Sequence, residues 1–231
     1  MNIITVVPVR STSTRLPGKV LLPVLGAPMI YHFMDRVQRA KLPSCVVLAT
    51  PGGNLHNFFP VLENKKACGF EQINIDESDV LSRLWHCAEA FGADLIVRAN
   101  ADNPCMDPEM IDYLLKEFLN SGQYDVLGTN LGDCPNTKWP QGLGAEVWPW
   151  RVLNKAYKEL DDPVYREHPH KYFHDNGLYF EPACPFEWTP PQRFEVNDQN
   201  DLVFVRDVYN YFERNDFTTE ELMGAMCREK R

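Results

Sequence analysis

Apolar side chains change period along this chain in a way that marks out its elements before anything else is read. Residues 3–9 are a continuous apolar, β-branched run, the pattern of a central strand covered on both faces. Residues 29–40 place apolar side chains at 29, 30, 33, 34 and 37, which is helical spacing, and Pro28 suits a first turn. Residues 45–50 form a second apolar strand, and a loop with a weaker helix leads to a short strand at 72–75. Ser78 and Asp79 are placed to cap a helix running through Phe91, and 94–99 is another buried strand. Asp107 and Pro108 open a helix to Leu119, after which 124–128 returns as a strand.

This β-α alternation predicts an α/β fold with a mostly parallel sheet and right-handed crossovers. Ligands of such sheets bind beyond the carboxyl ends of the strands. Unusual residues cluster after Val9, Thr50 and Ala99, at three of those ends. From residue 130 the rhythm breaks. Residues 144–148 read as a strand, 149–160 as a helix, 193–196 as a last short strand, and 198–213 and 218–230 as amphipathic helices. Without a linker, repeat or low-complexity tract, residues 1–231 are expected to form one domain, with 130–188 as an inserted lobe for an acceptor or a partner subunit.

Composition narrows the function. A chain of 231 residues can bury a core without disulfide or metal staples. A net charge of −9 argues against a broad nucleic-acid or anionic-membrane surface, though not against a small basic pocket. Seven cysteines without CxxC spacing suggest neither a zinc site nor a redox dithiol, only reduced thiols. No signal-peptide pattern opens the sequence and no apolar run approaches membrane-spanning length, so a cytoplasmic protein is expected.

The strongest chemical signal follows the first strand: Val9-Arg10-Ser11-Thr12-Ser13-Thr14-Arg15-Leu16-Pro17-Gly18-Lys19. Hydroxyls and backbone N–H donors are interleaved with Arg10, Arg15 and Lys19. A triphosphate needs that mixture of positive charge and short-range donors. Pro17 fixes φ, and Gly18 reaches conformations barred to other residues, so the turn can aim Lys19 inward. The loop lacks Walker A spacing and does not suggest a kinase or ATPase. Asp102, beyond the strand at 94–99, is a hard oxygen ligand suited to a hard cation beside a triphosphate. Ser78 and Arg83 are candidates for reading a base edge. Arg166, His168, His170 and Lys171 form a positive patch suited to an anionic acceptor. His168, His170 and His174 lack a matching cysteine set and are read as structural or substrate contacts rather than a zinc site.

The segment from Ser13 to Leu21 resembles the signature of the cytidylyltransferase family that activates acidic sugars, which includes CMP-acylneuraminate and CMP-KDO synthetases. The SpsF-like branch of spore-coat polysaccharide synthesis is the nearest in pattern. The likeness continues in Gly26-Ala27-Pro28-Met29-Ile30, Asp79-Val80-Leu81-Ser82-Arg83, Val97-Arg98-Ala99-Asn100-Ala101-Asp102-Asn103-Pro104, Gly142-Leu143 with Glu146-Val147, and Arg166-Glu167-His168. The resemblance implies a Rossmann-like nucleotide-diphospho-sugar transferase fold, with CTP and an acidic sugar or related anionic acceptor as substrates. It also implies Mg²⁺ as cofactor, pyrophosphate as second product and a homodimer. It implies nucleotide contacts from Val9, Arg10, Ser11, Thr50 and Asn100, and phosphate contacts from Arg15 and Lys19. Mg²⁺ would fall to Asp102, and acceptor contacts to Gln141, Glu146, Arg166, His168 and His170.

The sequence departs from the family pattern at Thr12, Ser82 and Gly144, and above all at Glu195-Val196-Asn197-Asp198. Asn197 stands where the family motif has a second metal carboxylate. Either Asn197 offers its carbonyl oxygen, or Asp198 substitutes with a shift of one residue, or the second ligand is absent. Two other readings stay open: a sugar-phosphate nucleotidyltransferase using another NTP, since nothing in the sequence fixes cytosine, and, because of Asn197, a catalytically impaired nucleotide-binding or scaffold subunit.

Overall fold

Strand β1 (Ile3–Pro8) is central because both its edges are occupied and its side chains alternate between two apolar layers. The computed structural model describes residues 1–10, 12–13, 15–62, 67–72, 76–122, 124–129, 139–184 and 193–228. In chain order β1 is followed by a ribbon of β2 (Pro23–Val24) and β3 (Ala27–Pro28), then α1 (Met29–Val37), β4 (Cys45–Pro51), α2 (Phe59–Leu62) and β5 (Ala67–Gln72). Next come α3 (Val80–Ala90), β6 (Leu95–Arg98), α4 (Pro108–Ser121), β7 (Val126–Gly128), β8 (Glu146–Pro149) and α5 (Trp150–Glu159). Helices α6 (Pro163–Glu167) and α7 (Pro169–Asp175), strand β9 (Tyr179–Phe180), and helices α8 (Gln199–Phe212) and α9 (Thr219–Arg228) complete the described elements.

The described strands build a seven-stranded sheet in the order β5-β4-β1-β6-β8-β7-β9. Strands β5, β4, β1 and β6 run parallel, β8 is antiparallel to both β6 and β7, and β9 is parallel to β7. The mostly parallel α/β sheet expected from the apolar runs is therefore present. Val7, Leu48 and Val97 point into the layer of α1, α4 and α8. Val6, Val47 and Ile96 point into the layer of α3 and α5. That two-sided burial is why these strands read as unbroken apolar runs rather than alternating ones.

Two expected strands differ. Segment 193–196 contributes only a bridge, Gln141 to Arg193, because Phe194 and Val196 donate their amides to Gln141 and Asp102 rather than to a neighbouring strand. The short strand placed at 72–75 is β5, which begins at Ala67; residues 73–75 lie outside the described residues. This edge strand is only partly buried, so its apolar signal is weak.

Helix α1 is tied to the segment before α4 and to the C-terminal region by one buried cation. Arg36, fully buried on α1, donates to the carbonyls of Met106 (2.7 Å), Phe217 (2.8 Å), Asn215 (2.9 Å) and Cys105 (3.2 Å). Its guanidinium lies 4.2 Å from the centre of the Phe217 ring. A planar fork satisfies carbonyls from two distant segments at once, which a point-charge ammonium cannot. Arg36→Lys should therefore destabilise the protein by about 3 kcal/mol or more, read as a lowered urea midpoint at unchanged slope. An unchanged midpoint would show that Arg36 is not the tie.

Candidate active site

Four parallel strands run side by side in the sheet, and the residues that follow β1 and β6, with Glu77, residues within 167–171, Glu195 and Asn197, line a cleft of about 390 Å³. Val9 still donates to Ala49 (2.9 Å) as a last sheet contact, and Arg10, Thr12, Ser13, Arg15 and Lys19 beyond it line the cleft. Gly18 adopts a left-handed φ of 64°, and Lys19 opens a 3-10 turn behind it. This turn sends the Lys19 ammonium across the cleft to the Asp102 carboxylate (2.8 Å) and the Val196 carbonyl (2.7 Å). Asp102 itself stands just beyond β6, where Asn103 N–H closes a turn onto Asn100 O (3.1 Å).

The opposite wall is the 193–197 segment. Val196 N–H donates to Asp102 O (2.8 Å) and Phe194 N–H to Gln141 O (2.8 Å). Phe194 and Val196 are fully buried, so the extended chain turns Glu195 and Asn197 to the other side, where both line the cleft. Gly142 makes this approach possible. Its φ is 83°, and a Cβ there would lie 2.2 Å from the Glu195 amide nitrogen. Burial, and then the nearby Asp102 charge, hold the Glu195 carboxyl above its ordinary pKa.

In a chain of net charge −9, the cleft has the opposite balance. Among the described residues, Arg10, Arg15, Lys19, Arg83, Arg98 and Lys171 outnumber the carboxylates of Glu77, Asp102, Glu167 and Glu195. Arg10 reaches Glu77 (3.5 Å) and Glu167 (3.9 Å), and Thr12 hydrogen-bonds Glu77. Arg83, buried on α3, donates to Glu77 O (2.5 Å). Burial, followed by the like charge of Arg10, lowers its pKa to about 10. Arg98 donates to both Glu146 oxygens (2.9 and 3.1 Å) and to His170 Nδ1 (3.2 Å). Trp148 Nε1–H caps the same Glu146 carboxylate at 3.0 Å. Arg83 and Arg98 each keep a buried Nε–H without an acceptor among the described residues. His168 and His170 line the far end, with pKa values lowered first by burial; for His170 the Arg98 charge comes next.

Val9, Arg10, Arg15, Lys19, Arg83, Asn100, Asp102, His168, His170 and Asn197 thus line one cleft. Ser11 lies outside the described residues. Six other candidates are not brought to the lining. Thr50 is fully buried in β4 with its hydroxyl toward Phe70 O (3.5 Å), and Ser78 spends its hydroxyl on Asp76 (2.6 Å). Glu146 lies wholly buried behind Arg98, and Gln141 is bridged to Arg193. Arg166 ties α6 to α3 through Asp79 (2.8 Å), Ser82 and Leu160 O. Asp198 is the exposed N-cap of α8, accepting from the amides of Asn200 and Asp201 in a capping box. That cap leaves Asn197, not Asp198, at the cleft.

Glu77, Glu195 and Arg98 were not assigned roles from sequence. Arg98 did leave a signal, as a cation within an apolar strand. Its register partner across β6 and β8 is Glu146, an equally unexpected anion.

A family model described as cytidylyltransferase matches residues 4–217. The chain is 26% identical over 234 residues to the spore coat polysaccharide biosynthesis protein SpsF of Bacillus subtilis, covering 98% of this chain and 95% of that one. It is 36% identical over 112 residues to the 3-deoxy-manno-octulosonate cytidylyltransferase of Geobacter sulfurreducens, but that match spans 48% of this chain and only 43% of the enzyme. A solved cytidylyltransferase from Leptospira borgpetersenii serovar Hardjo-bovis superposes with a TM-score of 0.86 at 22% identity, covering 99% of this chain and 94% of that chain, which shows a shared fold.

Two outcomes test this geometry. Gly142→Ala should push the Glu195 segment off Asp102 and lower the melting temperature; unchanged stability and ligand binding would contradict the close approach. Burial lowers the pKa of His168, and lowers that of His170 further, in the folded protein, whereas the unfolded chain protonates them near pH 6.5. The unfolded state then binds more protons, so stability should fall as pH drops through about 6.5 toward 5. His170→Gln should flatten that slope in urea titrations; an equal slope would show that His170 does not carry it.

Proposed function

From the premise that this chain belongs to the cytidylyltransferase family, we propose that it transfers CMP from CTP to an acidic sugar or a related anionic acceptor. An acceptor oxygen attacks the α-phosphorus, the bond from that phosphorus to the bridging oxygen breaks, and pyrophosphate leaves with the electron pair. The observation that carries this reading is the cleft itself: a concentration of cations, in an acidic protein, at the carboxyl ends of parallel strands. Arg15 and Lys19 are read as the groups that hold the β- and γ-phosphates, and Arg10 as a further phosphate or nucleotide contact. Val9, Asn100 and Arg83, which also line the cleft, are read as nucleoside contacts. The two buried Nε–H groups of Arg83 and Arg98 are donors an anionic ligand can satisfy.

Magnesium belongs to the same proposal. The donor set fits a hard cation: the Asp102 carboxylate and a backbone carbonyl already share one positive charge, the Lys19 ammonium. Bound Mg²⁺ would neutralise phosphate charge as the pyrophosphate departs. The chain's own contribution is to align acceptor and α-phosphate, exclude water and supply fixed positive charge. His170 acts as a donor rather than a base. With Nδ1 accepting from Arg98 and the ring neutral, its proton sits on Nε2. His168, His170 and Lys171 are read as the acceptor end of the cleft. A cytoplasmic setting, where CTP is available, completes the reading; among the described residues no helix is long and apolar enough to cross a membrane.

Pyrophosphate release, measured with each of the four NTPs across a panel of acidic sugars and sugar phosphates, tests the reading. Turnover confined to CTP and an anionic acceptor is expected. Turnover with a different NTP, or CTP binding without turnover on any acceptor, would replace it. Lys19→Ala and Arg15→Ala should each weaken CTP binding by about tenfold or more, in line with about 1.5–3 kcal/mol for a charge-assisted hydrogen bond. Unchanged affinity in both would remove the loop from the site.

A further inference from the structure

Glu195 lines the cleft together with Asp102. We infer that Glu195 is the second carboxylate which, with Asp102, holds the divalent cation that accompanies the nucleotide. This rests on the nucleotidyltransferase reading. The segment geometry puts Glu195 there. The Val196 amide is pinned to Asp102 O at 2.8 Å, and Val196 is buried, so the side chains on either side of it face the cleft next to Asp102.

The other acidic side chains nearby are already engaged. Asp198 caps α8. Asp201 accepts from Arg193 (2.6 Å) and from the amides of Asn197 (2.8 Å) and Asp198 (3.0 Å). Glu77 and Glu167 are paired with Arg10. Among the described residues, Glu195 makes no ion pair, and its side-chain partner is neutral: Asn197 Nδ2 donates to Glu195 Oε1 at 2.6 Å. That bond orients the carboxylate and leaves the Asn197 carbonyl oxygen as a third, uncharged donor. Asp102, Glu195 and Asn197 together give two carboxylates and one amide oxygen, a donor set that suits a hard cation whose other ligands are phosphate and water. Lys19 serves as the counter-ion of this oxygen-rich wall when no cation is bound. The negative charge that Asn197 lacks is thus supplied two residues earlier on the same face of the chain.

Mn²⁺ reports this directly through its electron paramagnetic resonance signal, independent of turnover. Mn²⁺ is titrated into the full chain saturated with a non-hydrolysable α,β-methylene analogue of CTP. Glu195→Gln should weaken Mn²⁺ binding by about tenfold or more while the metal-free analogue binds as before. The double variant Glu195→Gln/Asn197→Asp should recover most of that affinity, which a merely misfolded single variant would not foretell. Asp198→Asn, which keeps the cap, should bind Mn²⁺ like the wild type. Wild-type Mn²⁺ affinity in Glu195→Gln, or failure of Asn197→Asp to restore it, would overturn the inference while leaving CTP binding intact. If the wild type does not bind the analogue, with or without Mn²⁺, the nucleotidyltransferase reading falls and takes the inference with it.

Discussion

One ammonium group holds the candidate site together. Lys19 Nζ joins the loop after β1 to Asp102, 83 residues later, and to Val196, 177 residues later. Those segments converge because β1 and β6 are parallel neighbours whose carboxyl ends emerge at the same edge. Residue 196 is brought in by a second contact, its amide on Asp102 O. The site therefore depends on three chain segments meeting around a partly buried charge. The same oxygens that hold the lysine form the wall on which a cation would compete with it.

Charge is handled differently at different depths. Arg98 and Glu146 are both nearly or fully buried, and each would be costly alone in a low-dielectric interior. Both Glu146 oxygens accept from Arg98 Nη1 and one also accepts from the Trp148 indole N–H, while Nη1 reaches His170 as well and Nε–H is left without an acceptor among the described residues. The pair presents to the cleft a guanidinium whose charge is balanced from behind, which suits orientation of an anion more than raw attraction. Arg36 illustrates the other solution, a buried cation held, among the described residues, by four carbonyl dipoles and an aromatic face rather than by a carboxylate.

Much of the candidate site was legible because strand, turn and loop chemistry are local. The apolar run at 3–9, the Pro17-Gly18 turn and the basic residues around it place Lys19 without knowledge of the rest. Asp102 was legible for the same reason, as a carboxylate just past a buried strand. Arg166 was misleading because a cation next to histidines looks like a ligand site, whereas its guanidinium satisfies Asp79, which also caps α3. Thr50 was misleading because the strand runs through Pro51, so its hydroxyl stays inside the sheet.

By itself the sequence determined the alternating strands and helices, the phosphate-like loop and the family likeness, since each depends on residues close together in the chain. It also exposed the missing charge at Asn197. Only the tertiary structure decided what stands beside Asn197. Whether residue 195, 197 or 198 faces Asp102 depends on a backbone hydrogen bond across 94 positions (Val196 to Asp102), on Gly142 making room, and on a helix cap claiming Asp198. None of these is encoded in local spacing, because each is a contact between segments that meet only when the sheet has formed.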